Sequence, residues 1–269
     1  MRTTLIVVLN RWPRLKRLLK RLHNIMGFSS EAPSTYVRLS EGAADLISSE
    51  LNCAWMRDEL PKRQRAIADT ELASYCAGNA VSVFDTLVKA LKDLPASVDG
   101  MTLLEVGCSS GYYSEVFAIA GLDVKYTGGD FSEAFIDLAR QHYPRLQFDV
   151  EDATSLSYPT ESFDIVISGC CLLHIVEYER AVIETARVAR SFAIFHRTPV
   201  VWGQPEQIYR KNAYGVDMLE IHFNESDFLA LLHRNGLTLL ATYTLAEEVL
   251  TAKSSRGSAV RTYVCKKGE

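Results

Sequence analysis

The chain has little of what builds irregular or repetitive architectures. Its 269 residues include only 15 Gly and 8 Pro, which excludes a collagen-like or low-complexity array, and no internal period recurs. The six cysteines, at 53, 76, 108, 170, 171 and 265, include no CxxC pair and no Cys/His group at zinc spacing. Neither a disulfide framework nor a metal is therefore expected, and the thiols read as reduced. Long apolar runs are also missing. The run from Leu5 to Leu9 is too short to span a bilayer, and the basic residues follow it, the reverse of the order in a secretory leader, so a cytoplasmic protein is expected. Positive charge is lacking overall: 29 basic residues against 33 acidic give −4 and a pI near 5.9, so no global field attracts nucleic acid. What is present is 48% hydrophobic residues and 23% charged, enough apolar material for one large core.

The charge is unevenly placed. Residues 1–30 hold seven Lys or Arg and no acid, so the net −4 of the whole chain leaves −11 for the remainder. Leu15, Leu18, Leu19, Leu22 and Ile25 recur there at helical spacing between basic residues, with Trp12 at the start; such a helix suits an anionic membrane surface, at the inner face of the membrane. Packing of the leucine stripe against the rest of the chain or a second subunit is the other reading. Residues 31–100 read as a helical cap region, with Val81, Phe84, Leu87, Val88 and Leu91 on one face of a helix ending before Pro95.

From Met101 the pattern alternates short apolar strands with amphipathic helices. Strands are expected at 102–106, 123–127, 146–150, 163–168 and 192–195, and helices near 112–120, 133–142 and 177–188. Gly121 fits a left-handed residue closing the first helix, and Ser132 an N-cap opening the second. This alternation implies right-handed crossovers and a doubly wound α/β domain, a parallel sheet covered by helices on both faces. A last helix from Glu225 to Asn235 precedes two β-rich runs, Leu237–Thr244 and Ala259–Cys265, expected to pair antiparallel.

The sharpest segment is Leu103-Leu104-Glu105-Val106-Gly107-Cys108-Ser109-Ser110-Gly111-Tyr112. A buried strand enters a glycine-bearing loop that opens a helix, which aims backbone N–H groups and the positive helix end into the crevice at the strand's C-terminus. The dinucleotide pattern G-x-G-x-x-G is not met, because Ser109 and Tyr112 hold its second and third glycine positions. The stretch resembles motif I of the class I S-adenosylmethionine-dependent methyltransferases, with Glu105, Gly107, Ser109 and Gly111 in its four places and serine replacing the middle glycine. Asp130, 19 residues beyond Gly111 and followed by Phe131, stands where the family holds the ribose hydroxyls. Glu151-Asp152-Ala153 stands where the family contacts adenine, by the Asp152 carboxylate and the Ala153 N–H. Ser162–Ser168 followed by Leu172-Leu173-His174 resembles the family's fourth strand and the segment after it.

The resemblance implies a seven-stranded, mostly parallel sheet whose last strand is antiparallel, carried by residues 101–269. It implies S-adenosyl-L-methionine as cofactor and S-adenosyl-L-homocysteine as product. The cofactor set it implies is Glu105, Gly107, Cys108, Ser109, Gly111, Asp130, Phe131, Asp152 and Ala153. Methyl transfer from a sulfonium needs collinear reactants, and a base only when the nucleophile arrives protonated. Loops after the fourth and fifth strands overhang the crevice, so His196 is the first candidate for a base and His174 the second. Arg197 would anchor a carboxylate or phosphate, and Tyr209, Tyr214 and His222 fall in the segment where the family builds acceptor specificity. No Asp/Asp/Asn cluster marks a metal-dependent site.

The leading expectation is thus methyl transfer to a small-molecule or glycan acceptor, at oxygen rather than nitrogen, since no Asn-Pro-Pro-Tyr-like motif follows the fourth strand. Two other readings stand beside it: a cofactor-binding scaffold without turnover, and a membrane-associated interaction protein whose function resides in residues 1–30. Neither the acceptor nor the oligomeric state follows from the sequence.

Overall fold

The computed structural model describes residues 36–40, 50–51, 53–249 and 256–268. The basic segment 1–30, and with it the membrane expectation, lies outside these residues. Among the described residues no helix is long and apolar enough to cross a membrane.

The centre is a parallel sheet built from β2 (Thr102–Val106), β3 (Lys125–Asp130), β4 (Gln147–Val150), β5 (Phe163–Gly169) and β6 (Ala189–Trp202). Its order is β4-β3-β2-β5-β6. The chain winds outward one way from β2 and then the other way through β5, so the strand order reverses between β2 and β5. In open α/β sheets that reversal creates the crevice that accepts ligands. Beyond β6, β10 (Gly257–Lys267) pairs antiparallel with β6 and with the edge strand β9 (Leu237–Val249). These seven strands form the expected sheet with one antiparallel member.

Strand alternation puts successive side chains on opposite faces. Leu103, Ile165 and Ile194 face α2 (Ser82–Lys92), α3 (Tyr113–Ile119) and α4 (Glu133–His142), packing with Phe84, Leu87, Phe117 and Ile136. Their neighbours Leu104, Val166 and Ala193 face the opposite way, toward α5 (Tyr178–Val188) and α6 (Glu225–Arg234), packing with Val182, Ala186, Phe228 and Leu231. Each fully buried Leu, Ile or Phe contributes roughly 1.5–3 kcal/mol, so the two apolar layers hold the sheet.

The helix ends follow local chemistry only in part. Gly121 is left-handed at φ 71° and closes α3, as its sequence suggests. Ser132 does stand at the start of α4, but its hydroxyl caps nothing and is buried without a partner. The Asp130 carboxylate takes the Ser132 N–H instead, at 3.0 Å. Strand β3 begins at Lys125, two residues later than its apolar pattern implies, and runs on to Asp130 because Gly128 and Gly129 continue the ladder with β2 and β4.

Two regions depart from the expected plan. The 31–100 region contains α1 (Glu59–Cys76) and α2 as expected, but also a strand, β1 (Tyr36–Arg38). The segment after Phe195 is largely β-structure. Strand β6 continues to Trp202, then β7 (Gln207–Ala213) and β8 (Val216–Asn224) form a hairpin whose β8 adds to β6 at Val200 and Val201, and β1 adds antiparallel to β7. The hairpin turns on Tyr214 and Gly215, both at positive φ (54° and 74°), the backbone of a two-residue primed turn whose twist matches its strands. Arg63 of α1 donates to the Tyr214 carbonyl at 3.1 Å and ties the turn to the helix.

Candidate functional site

A cavity of about 360 Å³ opens at the C-terminal ends of β2, β3 and β5, roofed by α1 and by the β7–β8 hairpin. Its volume suits a small molecule. Four of the five described non-glycine residues with positive φ line it: Ser109 (48°), Cys170 (66°), Arg197 (58°) and Tyr214 (54°). Such backbone costs about 1–3 kcal/mol each and gathers where function requires it.

One end is built by the loop after β2. Gly107 adopts φ 73°, and a Cβ there would collide with Cys171, so this position needs glycine on two counts. The Gly107 and Cys108 N–H groups both donate to the Gly129 carbonyl, at 2.8 and 3.0 Å, which binds the loop to β3. Asp130 ends β3 with its carboxylate accepting from Ser109 N (2.9 Å) and Ser132 N (3.0 Å). Two carboxylate oxygens offer about four acceptor positions, so two remain for a ligand's hydroxyls. Burial raises the Asp130 carboxyl to about 6 against the pull of these N–H groups. Glu105, 1% exposed, is raised to about 8, first by burial and further by Asp130, while the Tyr126 hydroxyl pulls it down. Asp152 is exposed and uses only Oδ1 internally, for Thr154 N and Oγ1, both at 2.8 Å. Phe131, 41% exposed, and Ala153 complete this wall.

The other end is walled by Trp55, Ile67, Phe135, Leu173 and Met218, with Gln64, Glu71, His174, Arg197, Lys211, Tyr214 and Glu220 as its polar groups. His174 Nδ1 lies 2.5 Å from the Leu219 carbonyl oxygen. A carbonyl only accepts, so Nδ1 carries the proton and Nε2 is left as an acceptor. Burial lowers His174 to about 4, leaving a neutral ring tilted 55° against Trp55 with the centroids 4.8 Å apart. Glu220 accepts from Lys211 Nζ at 2.7 Å and His222 Nε2 at 3.0 Å. Burial opposes its ionisation, but these two partners outweigh it and hold the carboxyl down to about 2. Among the described residues the cavity lining holds seven carboxylic residues and two basic ones, Arg197 and Lys211.

The sequence-derived candidates divide accordingly. Glu105, Gly107, Ser109, Asp130, Phe131, Asp152, Ala153, His174, Arg197 and Tyr214 share this one cavity. Cys108 and Gly111 support it from beneath: Cys108 is 1% exposed, and a side chain at Gly111 would strike Phe148. Tyr209 and His222 lie outside the cavity, in a tilted ring contact with centroids 4.8 Å apart. His196 also lies outside. It is 1% exposed, with Nε2 3.0 Å from the Tyr113 hydroxyl and Nδ1 2.8 Å from Thr262 Oγ1, and burial lowers it to about 3. The position expected of a base is thus taken by a packed, neutral histidine. Lys211 and Glu220, which fall in the segment before the last helix where acceptor specificity was expected, line the cavity, whereas Glu71 was not singled out from sequence, because it reaches the cavity only through tertiary contacts. Among the described residues no three His, Cys, Asp or Glu are grouped to hold a metal.

The residues at the first end fit S-adenosylmethionine. Asp130 retains acceptor capacity for ribose and Gly107 holds the loop in its left-handed turn against Cys171, while at the other end Gln64 Oε1 on α1 is buried with no hydrogen-bond partner among the described residues.

Residues 104–195 match the family model described as methyltransferase domain. The chain is 34% identical over 98 residues to a demethylmenaquinone methyltransferase of Renibacterium salmoninarum, covering 36% of this chain and 40% of that protein. It is 33% identical over 100 residues to a ubiquinone biosynthesis O-methyltransferase of Sinorhizobium fredii, covering 36% and 40%. The matched stretch thus spans about two fifths of these curated relatives. Among solved structures, the 1,6-didemethyltoxoflavin-N1-methyltransferase of Burkholderia thailandensis, bound to 1,6-didemethyltoxoflavin and S-adenosylhomocysteine, superposes with a TM-score of 0.55 at 16% identity, covering 90% of this chain and 98% of that one. Residues 104–195, about a third of the chain, are thus similar to a methyltransferase domain, and the sheet order and the likeness to the solved structure give the chain that fold.

Proposed function

We propose that the chain methylates a hydroxyl of a small-molecule or glycan acceptor, using S-adenosylmethionine and releasing S-adenosylhomocysteine. The observation that carries this reading is one cavity in which Ser109, Asp130 and Asp152 share walls with His174, Arg197 and Tyr214. When bound, the cofactor supplies an electrophilic methyl group on a sulfonium. Asp130 holds the ribose hydroxyls, Asp152 and the Ala153 N–H hold adenine, and the loop at Gly107 and Ser109 seats the amino-acid end. Burial raises the Glu105 and Asp130 carboxyls, and a cation bound in the cavity would draw both back toward ionisation.

At the other end His174 orients the acceptor. Its Nε2 accepts the hydroxyl hydrogen, and Trp55 and the Leu219 carbonyl fix the ring. A base this weak at rest takes the proton late, as the O–C bond forms and the hydroxyl becomes acidic. The charge of Glu220 favours the resulting imidazolium. The α1 residues Gln64, Ile67 and Glu71, with Trp55, act as the cap that excludes water. The O-methyltransferase name of one relative is consistent with transfer to oxygen.

The first test is isothermal titration with S-adenosylhomocysteine. The wild type binds with Kd on the order of micromolar, and Asp130→Ala, still folded by circular dichroism, loses at least about 100-fold. A folded wild type that fails to bind removes the reading.

A further inference from the structure

Strand β6 is interrupted where it passes the cavity. Opposite β10, Thr198 pairs with Arg261 and Phe195 with Tyr263, so His196 and Arg197 together face the single residue Thr262. This is a β-bulge, with Arg197 left-handed at φ 58°. Bulges beside active sites re-aim a side chain, and here the Arg197 side chain lines the cavity while its neighbours His196 and Thr198 are 1% and 3% exposed. His196 is tied at both ring nitrogens, to Thr262 on the opposing strand and to Tyr113 on α3. A strained arginine backbone is thus clamped by a buried histidine, and strain of this kind persists only when its surroundings over-determine it.

Among the described residues the arginine so presented has no carboxylate within ion-pair distance. Among the described residues two basic ones line the cavity; Lys211 is paired with Glu220 at 2.7 Å, whereas Arg197 makes no hydrogen bond or ion pair to any described residue. The groups that feel its charge are Cys170, Tyr112, Tyr113 and Tyr214, with Glu71 on α1 and His174. A partly buried guanidinium without a partner leaves a fork of donors matched to a planar carboxylate. Arg197 and His174 face one space with apolar walls, Trp55 and Phe135 among them.

We propose that Arg197, held by the His196 clamp, anchors a carboxylate of the methyl acceptor, so that the acceptor is an apolar hydroxy acid with its hydroxyl at His174 and its carboxylate at Arg197. The proposal rests on the methyltransferase reading above and narrows its substrate class. The same guanidinium chemistry could serve the α-carboxylate of the cofactor. Arg197 stands on β6, three strands from Asp130 on β3 with β2 and β5 between them, and its charge is felt by Tyr214 at the turn of the hairpin that roofs the cavity, which favours the acceptor.

The test uses the full chain and calorimetry in two arms. In the first, wild type and Arg197→Gln are titrated with S-adenosylhomocysteine and with 5′-methylthioadenosine, which lacks the amino-acid end. The expected result is that the substitution changes both affinities by less than about threefold. A loss of tenfold or more for S-adenosylhomocysteine alone assigns the arginine to the cofactor and overturns the proposal. In the second, 4-hydroxyphenylacetate and its uncharged amide are titrated into protein saturated with S-adenosylhomocysteine. The acid is expected to bind the wild type at least about tenfold tighter than the amide, with the preference erased in Arg197→Gln and partly kept in Arg197→Lys. No preference in the wild type overturns the proposal while leaving the methyltransferase reading intact; no S-adenosylhomocysteine binding at all overturns that reading itself. His196→Gln, folded by circular dichroism, is expected to lose the acid preference without losing cofactor affinity; an unchanged preference overturns the clamp.

Discussion

Glu105 ends the first parallel strand with a carboxyl that water scarcely reaches. Its value in the native state, about 8 against an ordinary 4.5, means that the folded chain holds a proton which the unfolded chain has released. The stability it contributes is therefore whole below pH 4.5 and lost as pH rises through 8. Glu105→Gln cannot ionise, so its melting curve should match the wild type at pH 5 and be more stable at pH 9, by about 2 kcal/mol or more, in urea titrations at the two pH values. Single residues were legible in the sequence where a short motif fixes both identity and place: Gly107, Asp130 and Asp152 reach the cavity because each sits at a strand end or one or two positions past it. The two histidines show the limit of that reasoning. His174 follows the end of β5 and faces the cavity, whereas His196, expected just past a strand end, lies inside the longer β6 at its bulge and is enclosed between Tyr113 and Thr262.

Elements were readable where periodicity is strong. Helix α4 and strand β2 begin and end where their patterns imply, and α6 opens at Asn224. That asparagine does two things: Oδ1 accepts from Asp227 N at 3.2 Å, and Nδ2 donates to the Gln204 carbonyl at 2.9 Å. Asn224→Ala removes the cap and a tether to the loop before β7, and should cost about 1–2 kcal/mol in chemical denaturation with the fold unchanged. The β7–β8 hairpin was far less visible. Its turn is Tyr214-Gly215 rather than the Asn-Gly or Asp-Gly that announces a primed turn. Its strands carry mixed polar and apolar residues, and its outer partner β1 comes from more than 160 positions earlier in the chain. Nothing local records such a pairing.

Across the whole molecule the buried ionisable groups set opposed responses to pH. His174 and His196 are held at about 4 and 3 against an ordinary 6.5, so the unfolded chain takes up protons that the native one refuses. Their contribution is present above pH 6.5 and lost as pH falls toward 4 and 3; that of Glu220, held at about 2, is lost between 4.5 and 2. Calorimetric melting temperature should therefore fall steadily below pH 5, and an unchanged value down to pH 3.5 would contradict the burial of these side chains. By itself the sequence determined the doubly wound sheet, the loop after β2 and the acids at the ends of β3 and β4, because helical and strand periodicity and a glycine loop act over a few residues. Only the tertiary structure decided which histidine meets the cavity, that Lys211 is neutralised by Glu220, and that Arg197 stands unpaired beside His174. Those outcomes depend on a bulge, a hairpin and a cap that bring distant segments together, and charge and burial are properties of that assembly rather than of any one stretch of chain.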